Sequence, residues 1–127
     1  MKILCIDDDP GVLMYLKAAL SQNHEVTTAT CGEQGLEKFK AEGPFSIVIS
    51  DIQMPDISGI EVVNKVYEQN KDTVCILITG QTNFTYAREA VNPDLNIKFL
   101  MKPLSISALR VEIKESVSLA EEKFKPS

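Results

Sequence analysis

Five charged side chains set the chemical question: Asp7, Asp8 and Asp9 follow one short apolar run, Asp51 closes a second, and Lys102 follows a third. Carboxylates held within a few ångströms raise one another's pKa, and a divalent cation relieves the repulsion. An all-oxygen set with no His and no usable Cys selects a hard ion. Mg²⁺ in such sites takes one or two carboxylates, several waters and a phosphoryl oxygen. A carboxylate placed there is a nucleophile toward phosphorus and yields an acyl phosphate. Transfer then depends on positioning and on neutralising the equatorial oxygens, a role for the ammonium of Lys102.

The neighbours of these residues add to the pattern. Asp51 is followed by Ile52-Gln53-Met54-Pro55-Asp56-Ile57-Ser58-Gly59, whose Pro and Gly favour a turn able to offer a backbone carbonyl, such as that of Gln53, to a metal. Thr79 ends another apolar run and supplies a hydroxyl donor, with Gly80 expected to let the backbone approach closely. A lone Asp after a strand is commonly a turn residue or a helix cap, and a lone Lys is commonly a solvated charge. Asp9, directly before Pro10, reads as such a cap and carries no chemistry.

What would bring these residues together is a parallel sheet. Ile3 to Ile6, Ile47 to Ile49 and Val74 to Ile78 are unbroken apolar runs, as strands covered on both faces require. Val26 to Ala29 and Ile97 to Leu100 mix polar with apolar positions and suit sheet edges. Helical spacing recurs between the runs: Leu13, Leu16 and Leu20; Leu36 and Phe39; Ile60, Val63 and Val66; Ala87 and Val91. A last stripe of Ile106, Leu109, Ile113, Val117, Ala120 and Phe124 follows a Ser105 cap. Five strand–helix units with right-handed crossovers make an α/β doubly wound sandwich, and placing the three unbroken runs in the middle favours a flavodoxin-like five-stranded parallel sheet of order 2-1-3-4-5 with five helices. In that order the first and third strands meet at the switch point, so their acids share one edge.

With 127 residues, 44% hydrophobic and 24% charged, the chain has room for one domain, 1–122, and a polar tail, 123–127. The net charge of −5 and the lack of any basic block argue against a nucleic-acid surface. No apolar run is long enough to span a bilayer, and the opening residues lack a signal-peptide pattern. Cys5, Cys31 and Cys75 show no CxxC spacing and read as reduced thiols in a cytoplasmic protein. His24 reads as an exposed turn residue.

Ile3-Leu4-Cys5-Ile6-Asp7-Asp8-Asp9-Pro10, Ile47-Val48-Ile49-Ser50-Asp51-Ile52-Gln53-Met54-Pro55 with Gly59, Ile76-Leu77-Ile78-Thr79-Gly80 and Phe99-Leu100-Met101-Lys102-Pro103-Leu104 together resemble the receiver domain of two-component response regulators, over essentially the whole chain. The resemblance implies that Asp51 is the phosphoacceptor, supplied by a phosphohistidine on a histidine kinase or histidine phosphotransfer protein. It implies Mg²⁺ on Asp8, Asp51 and the Gln53 carbonyl, with Asp7 acting through water. It also implies phosphoryl binding by Thr79 and Lys102, and a switch in which Phe99 turns inward when Thr79 moves. Gln53 and Gln81, each two residues past a key position, are placed to tune the phosphate's lifetime. A phosphorylation-dependent dimer and a downstream protein or output domain are further expectations.

The segment Asn92-Pro93-Asp94-Leu95-Asn96 replaces the family's short Gly-Ala turn, so the fourth helix is expected to end early. Thr79-Gly80, Ala90-Val91-Asn92 and Ile97-Lys98-Phe99-Leu100 resemble the receiver subtype fused to HD-type cyclic-dinucleotide phosphodiesterase domains, which makes a receiver excised from a longer regulator one alternative. A second alternative is an interaction module that is never phosphorylated. A third, an aspartyl-phosphate phosphohydrolase, generally needs an acid two residues after the nucleophile, where this chain has Gln53.

Overall fold

The computed structural model describes residues 1–80, 84–95 and 97–123. Strands and helices alternate strictly: β1 (Lys2–Ile6), α1 (Pro10–Leu20), β2 (Glu25–Ala29), α2 (Gly32–Glu42), β3 (Ile47–Asp51), α3 (Gly59–Gln69), β4 (Val74–Thr79), α4 (Phe84–Ala90), β5 (Ile97–Met101) and α5 (Ile106–Lys123). All pairings are parallel and the order is β2-β1-β3-β4-β5, the flavodoxin-like arrangement expected from the run pattern. The fully buried β1, β3 and β4 occupy the middle, apart from a half-buried Lys2, and the mixed β2 and β5 form the edges.

Period-two alternation divides the core between the two faces of the sheet. Leu4, Ile6, Val48, Cys75 and Leu77 pack with Phe39, Val63, Val66 and Ala87, the inward residues of α2, α3 and α4. Ile3, Cys5, Ile47, Ile49, Ile76 and Ile78 pack with Leu13, Leu16, Leu109 and Ile113 from α1 and α5. Covering both faces is what lets the central strands be apolar at every position.

Helix ends follow local chemistry. Asp9 caps α1 by accepting from the Gly11 N–H at 2.8 Å, with Pro10 in the first turn. Ser105 Oγ accepts from the Ala108 N–H at 3.0 Å and starts α5. Helix α4 ends at Ala90, as Pro93 requires, and the chain turns with the Leu95 N–H on the Asn92 carbonyl at 3.0 Å. Asn64 of α3 closes that end with its amide: Nδ2 donates to the Ala90 carbonyl at 3.2 Å and Oδ1 accepts from the Asn92 N–H at 2.8 Å. The stripe position Phe124, the tail residues 125–127, Asn96 and Gln81 lie outside the described residues.

One expectation changes. His24 is half-buried rather than exposed, with Nδ1 3.4 Å from the Met1 ammonium; burial and then that charge hold its pKa below the usual value. Gly80 has nothing described within 4 Å of where a Cβ would sit. Gly59 is a tight position, where a Cβ would overlap the Asp51 carbonyl.

Candidate functional site

Strand register brings the site residues level. Ile6 pairs with Ser50, so the following residues, Asp7 and Asp51, emerge side by side at the carboxyl edge. Asp51 pairs with Ile78 and Thr79 with Met101, which sets Thr79 and Lys102 one step beyond. The Lys102 N–H donates to the Thr79 carbonyl at 2.9 Å, and the Ile52 N–H to the Ile78 carbonyl at 3.2 Å, so the ladder continues past the strand ends.

Asp7, Asp8 and Asp51 each place a carboxylate oxygen within 4.8 Å of the others. Asp7 and Asp51 are buried, while Asp8 faces solvent. The Lys102 Nζ stands 3.0 Å from Asp51 Oδ1. Asp7 Oδ1 accepts from the Asp9 N–H at 2.9 Å, whereas Oδ2 is buried with no hydrogen-bond partner among the described residues. Burial pushes the Asp7 carboxyl up to about 6 from an ordinary 3.8; the Asp9 N–H opposes that shift and the neighbouring Asp51 charge adds to it. A buried carboxylate oxygen lacking a donor, inside a cluster of three acids, fits a hard divalent cation or its bound water.

The other expected residues fall around this centre. Thr79 is buried, and its Oγ1 donates to the Gly80 carbonyl at 2.9 Å. Gln53 is exposed on the loop after β3, whose neck is closed by the Gly59 N–H on the Ile52 carbonyl at 2.9 Å. Phe99 is half-buried, with its ring edge-on to Phe84 at 5.0 Å between centroids. Burial pushes the Cys5 and Cys75 thiols up to about 12, so neither supplies a thiolate at neutral pH.

Sequence reasoning assigned nothing to Asp56, Asn64 or Tyr86. Tyr86, exposed on α4, lines one surface pocket with Asp8 and Gln53. Asp56 accepts backbone bonds from α2, and Asn64 clamps α4. Their partners lie more than twenty residues away, beyond the reach of local pattern.

A doubly wound sheet with an acidic cluster and a lysine at its switch point defines the class of protein. A family model of the response regulator receiver domain matches residues 3–114, and the chain belongs to that family. Members act as phosphoacceptor switches in two-component systems, and their acidic pocket binds Mg²⁺. The chain is 32% identical over 124 residues to the response regulator receiver protein CpdR of Brucella abortus strain 2308, covering 94% of this chain and 98% of the relative. It is 31% identical over 115 residues to a probable cyclic di-GMP phosphodiesterase of Vibrio cholerae, covering 87% of this chain but only 25% of that protein. Among solved structures, the response regulator TrrA of Thermotoga maritima in complex with Mg²⁺-BeF superposes with a TM-score of 0.77 at 31% identity, covering 91% of this chain and 97% of that one. No described helix is long and apolar enough to cross a membrane.

Proposed function

We propose that this chain is a phosphorylation-controlled switch in which Asp51 accepts a phosphoryl group from a phosphohistidine on a histidine kinase or phosphotransfer protein. The observation that carries this reading is the joint placement of three carboxylates within 4.8 Å and of the Lys102 ammonium 3.0 Å from Asp51 Oδ1. Asp8, Asp51 and the Gln53 carbonyl would hold Mg²⁺, with Asp7 engaging it through water. When bound, the ion neutralises the acids and the incoming phosphoryl oxygens.

The chain's own residues do the rest. An Asp51 carboxylate oxygen attacks phosphorus as the P–N bond to the donor imidazole breaks, and that bond's electron pair stays on the ring nitrogen. Lys102 leaves its ion pair with Asp51 to bind a phosphoryl oxygen. Thr79 turns its hydroxyl from the Gly80 carbonyl to another phosphoryl oxygen, which withdraws it from the β4 end. Phe99 follows inward, and the faces of β5, α4 and α5 change for a downstream protein, an output domain or a second copy. Gln53 and Gln81 set how readily water reaches the acyl phosphate. Residues 1–122 constitute the switch, and 123–127 its tail.

Incubation with Mg²⁺ and acetyl phosphate, followed by intact mass, tests the reading. A gain of one phosphoryl group is expected for the wild-type chain and none for Asp51→Asn. A wild-type chain that never gains it, or a variant that still does, overturns the assignment of Asp51.

A further inference from the structure

Helix α2 begins without a cap of its own. Its N-cap residue is Cys31, whose side chain makes no capping bond. The first two N–H groups are instead taken by a residue from the loop after β3. Gly32 N–H donates to Asp56 Oδ1 at 3.1 Å and Glu33 N–H to Asp56 Oδ2 at 2.7 Å, one carboxylate oxygen for each. Negative charge at a helix N-terminus is favoured by the exposed N–H groups and by the helix dipole. Slight burial pushes the Asp56 carboxyl up, but the N–H groups of Glu33, Ile57 and Gly32 outweigh it and hold the pKa at about 2. The clamp is therefore charged at neutral pH.

A second contact seats the loop at the same place. A Cβ on Gly32 would overlap Ile57 Cγ1 and lie 3.0 Å from Val62 Cγ2, so a side chain at 32 would displace the Ile57 side chain from its seat on the helix. The loop is thus held at its neck, where the Gly59 N–H meets the Ile52 carbonyl, and at its outer turn, where Asp56 and Ile57 rest on α2. Gln53 lies between those two anchors.

We infer that Asp56 is a positioning residue for the Mg²⁺ site: by clamping α2 from the loop after β3, it holds in place the segment that carries Gln53. This inference rests on the proposed function, since it assigns a role to a residue serving that metal. Freeing the loop costs order in a segment that must present a carbonyl to the ion, and the loss falls on metal affinity before it falls on the fold.

The test is calorimetric titration of the full chain with Mg²⁺ alone, alongside thermal melts in EDTA. Asp56→Ala is expected to weaken Mg²⁺ binding about tenfold, the lower end of what losing an outer partner costs a metal site. Asp56→Asn, which keeps a carbonyl oxygen to accept one N–H, recovers part of that loss and carries the test should Asp56→Ala fold poorly. Lys38→Ala removes an α2 bond remote from the loop, from Nζ to the Thr28 carbonyl at 2.6 Å. It is expected to lower the melting temperature and leave Mg²⁺ affinity as it was. Wild-type affinity in both Asp56 variants overturns the inference alone, as does an equal loss of affinity in Lys38→Ala. A wild-type chain that binds no Mg²⁺ overturns the inference together with the metal assignment beneath it.

Discussion

The two ends of the same sheet treat buried polar groups in opposite ways. At the amino end, Thr73 is fully buried and its hydroxyl donates to the Phe45 carbonyl at 2.8 Å, while the Lys2 ammonium reaches the Glu42 carbonyl and lies 5.0 Å from the centre of the Phe45 ring. At the carboxyl end, Asp7 is equally buried, yet one of its oxygens has no donor among the described residues and two further carboxylates stand beside it. The first arrangement is complete within the chain and serves stability. The second leaves a buried carboxylate oxygen without a described donor inside a cluster of three acids, which fits the Mg²⁺-binding pocket of the family.

The largest effect that separates the two ends is on rate. Lys102→Ala is expected to slow phosphoryl transfer from acetyl phosphate at least about 100-fold, because it removes preorganised positive charge from the transferring group. Stability should move by only about 1 kcal/mol or less, since nearly half of the Lys102 side chain is in water. Single-turnover mass spectrometry and urea melts read the two quantities. A large loss of stability at an unchanged rate would make the carboxyl end a structural site like its opposite.

The next effect concerns Asp7. Its folded pKa of about 6 lies above the ordinary 3.8, so between those values the folded chain binds more protons than the unfolded one. In metal-free buffer, the contribution of Asp7 to stability should be full below about pH 4 and decline as pH rises through about 6, the reverse of a salt-bridged carboxylate. Asp7→Asn should abolish that decline and stabilise the metal-free chain at pH 7 by about 3 kcal/mol. Urea melts in EDTA at pH 5 and pH 7 check it; no gain at pH 7 would show that Asp7 is already satisfied.

The smallest effect belongs to the amino end. Thr73→Val keeps the shape but leaves the Phe45 carbonyl without its donor, at a cost of about 1 kcal/mol. Transfer rate and Mg²⁺ affinity should stay at wild-type values. A slowed transfer would mean that the two ends of the sheet are coupled.

Much of the architecture was legible in the chain because period and polarity report burial directly. The unbroken runs at Ile3, Ile47 and Val74 predict central strands, and the mixed runs at Val26 and Ile97 predict edges. Asp9 before Pro10 and Ser105 before Ile106 signal helix starts, and each caps as expected. The convergence of Asp7, Asp8, Asp51 and Lys102 was legible for the same reason: parallel strands in this order deliver their carboxyl ends to one edge. The crowding at Gly59, where a Cβ would overlap the Asp51 carbonyl, was not legible, because it depends on how the loop after β3 folds back on the strand end.

By itself, then, the sequence determined the strand order, the pairing of acids across the switch point and the class of chemistry available there. Those follow from local periodicity and from the few topologies that right-handed crossovers permit. Tertiary structure alone decided which Asp7 oxygen is left without a donor, that Asp56 caps a helix twenty-four residues upstream, and that Asn64 closes the end of α4. Each depends on the direction of one side chain toward a backbone group distant in sequence, and no local pattern encodes that direction.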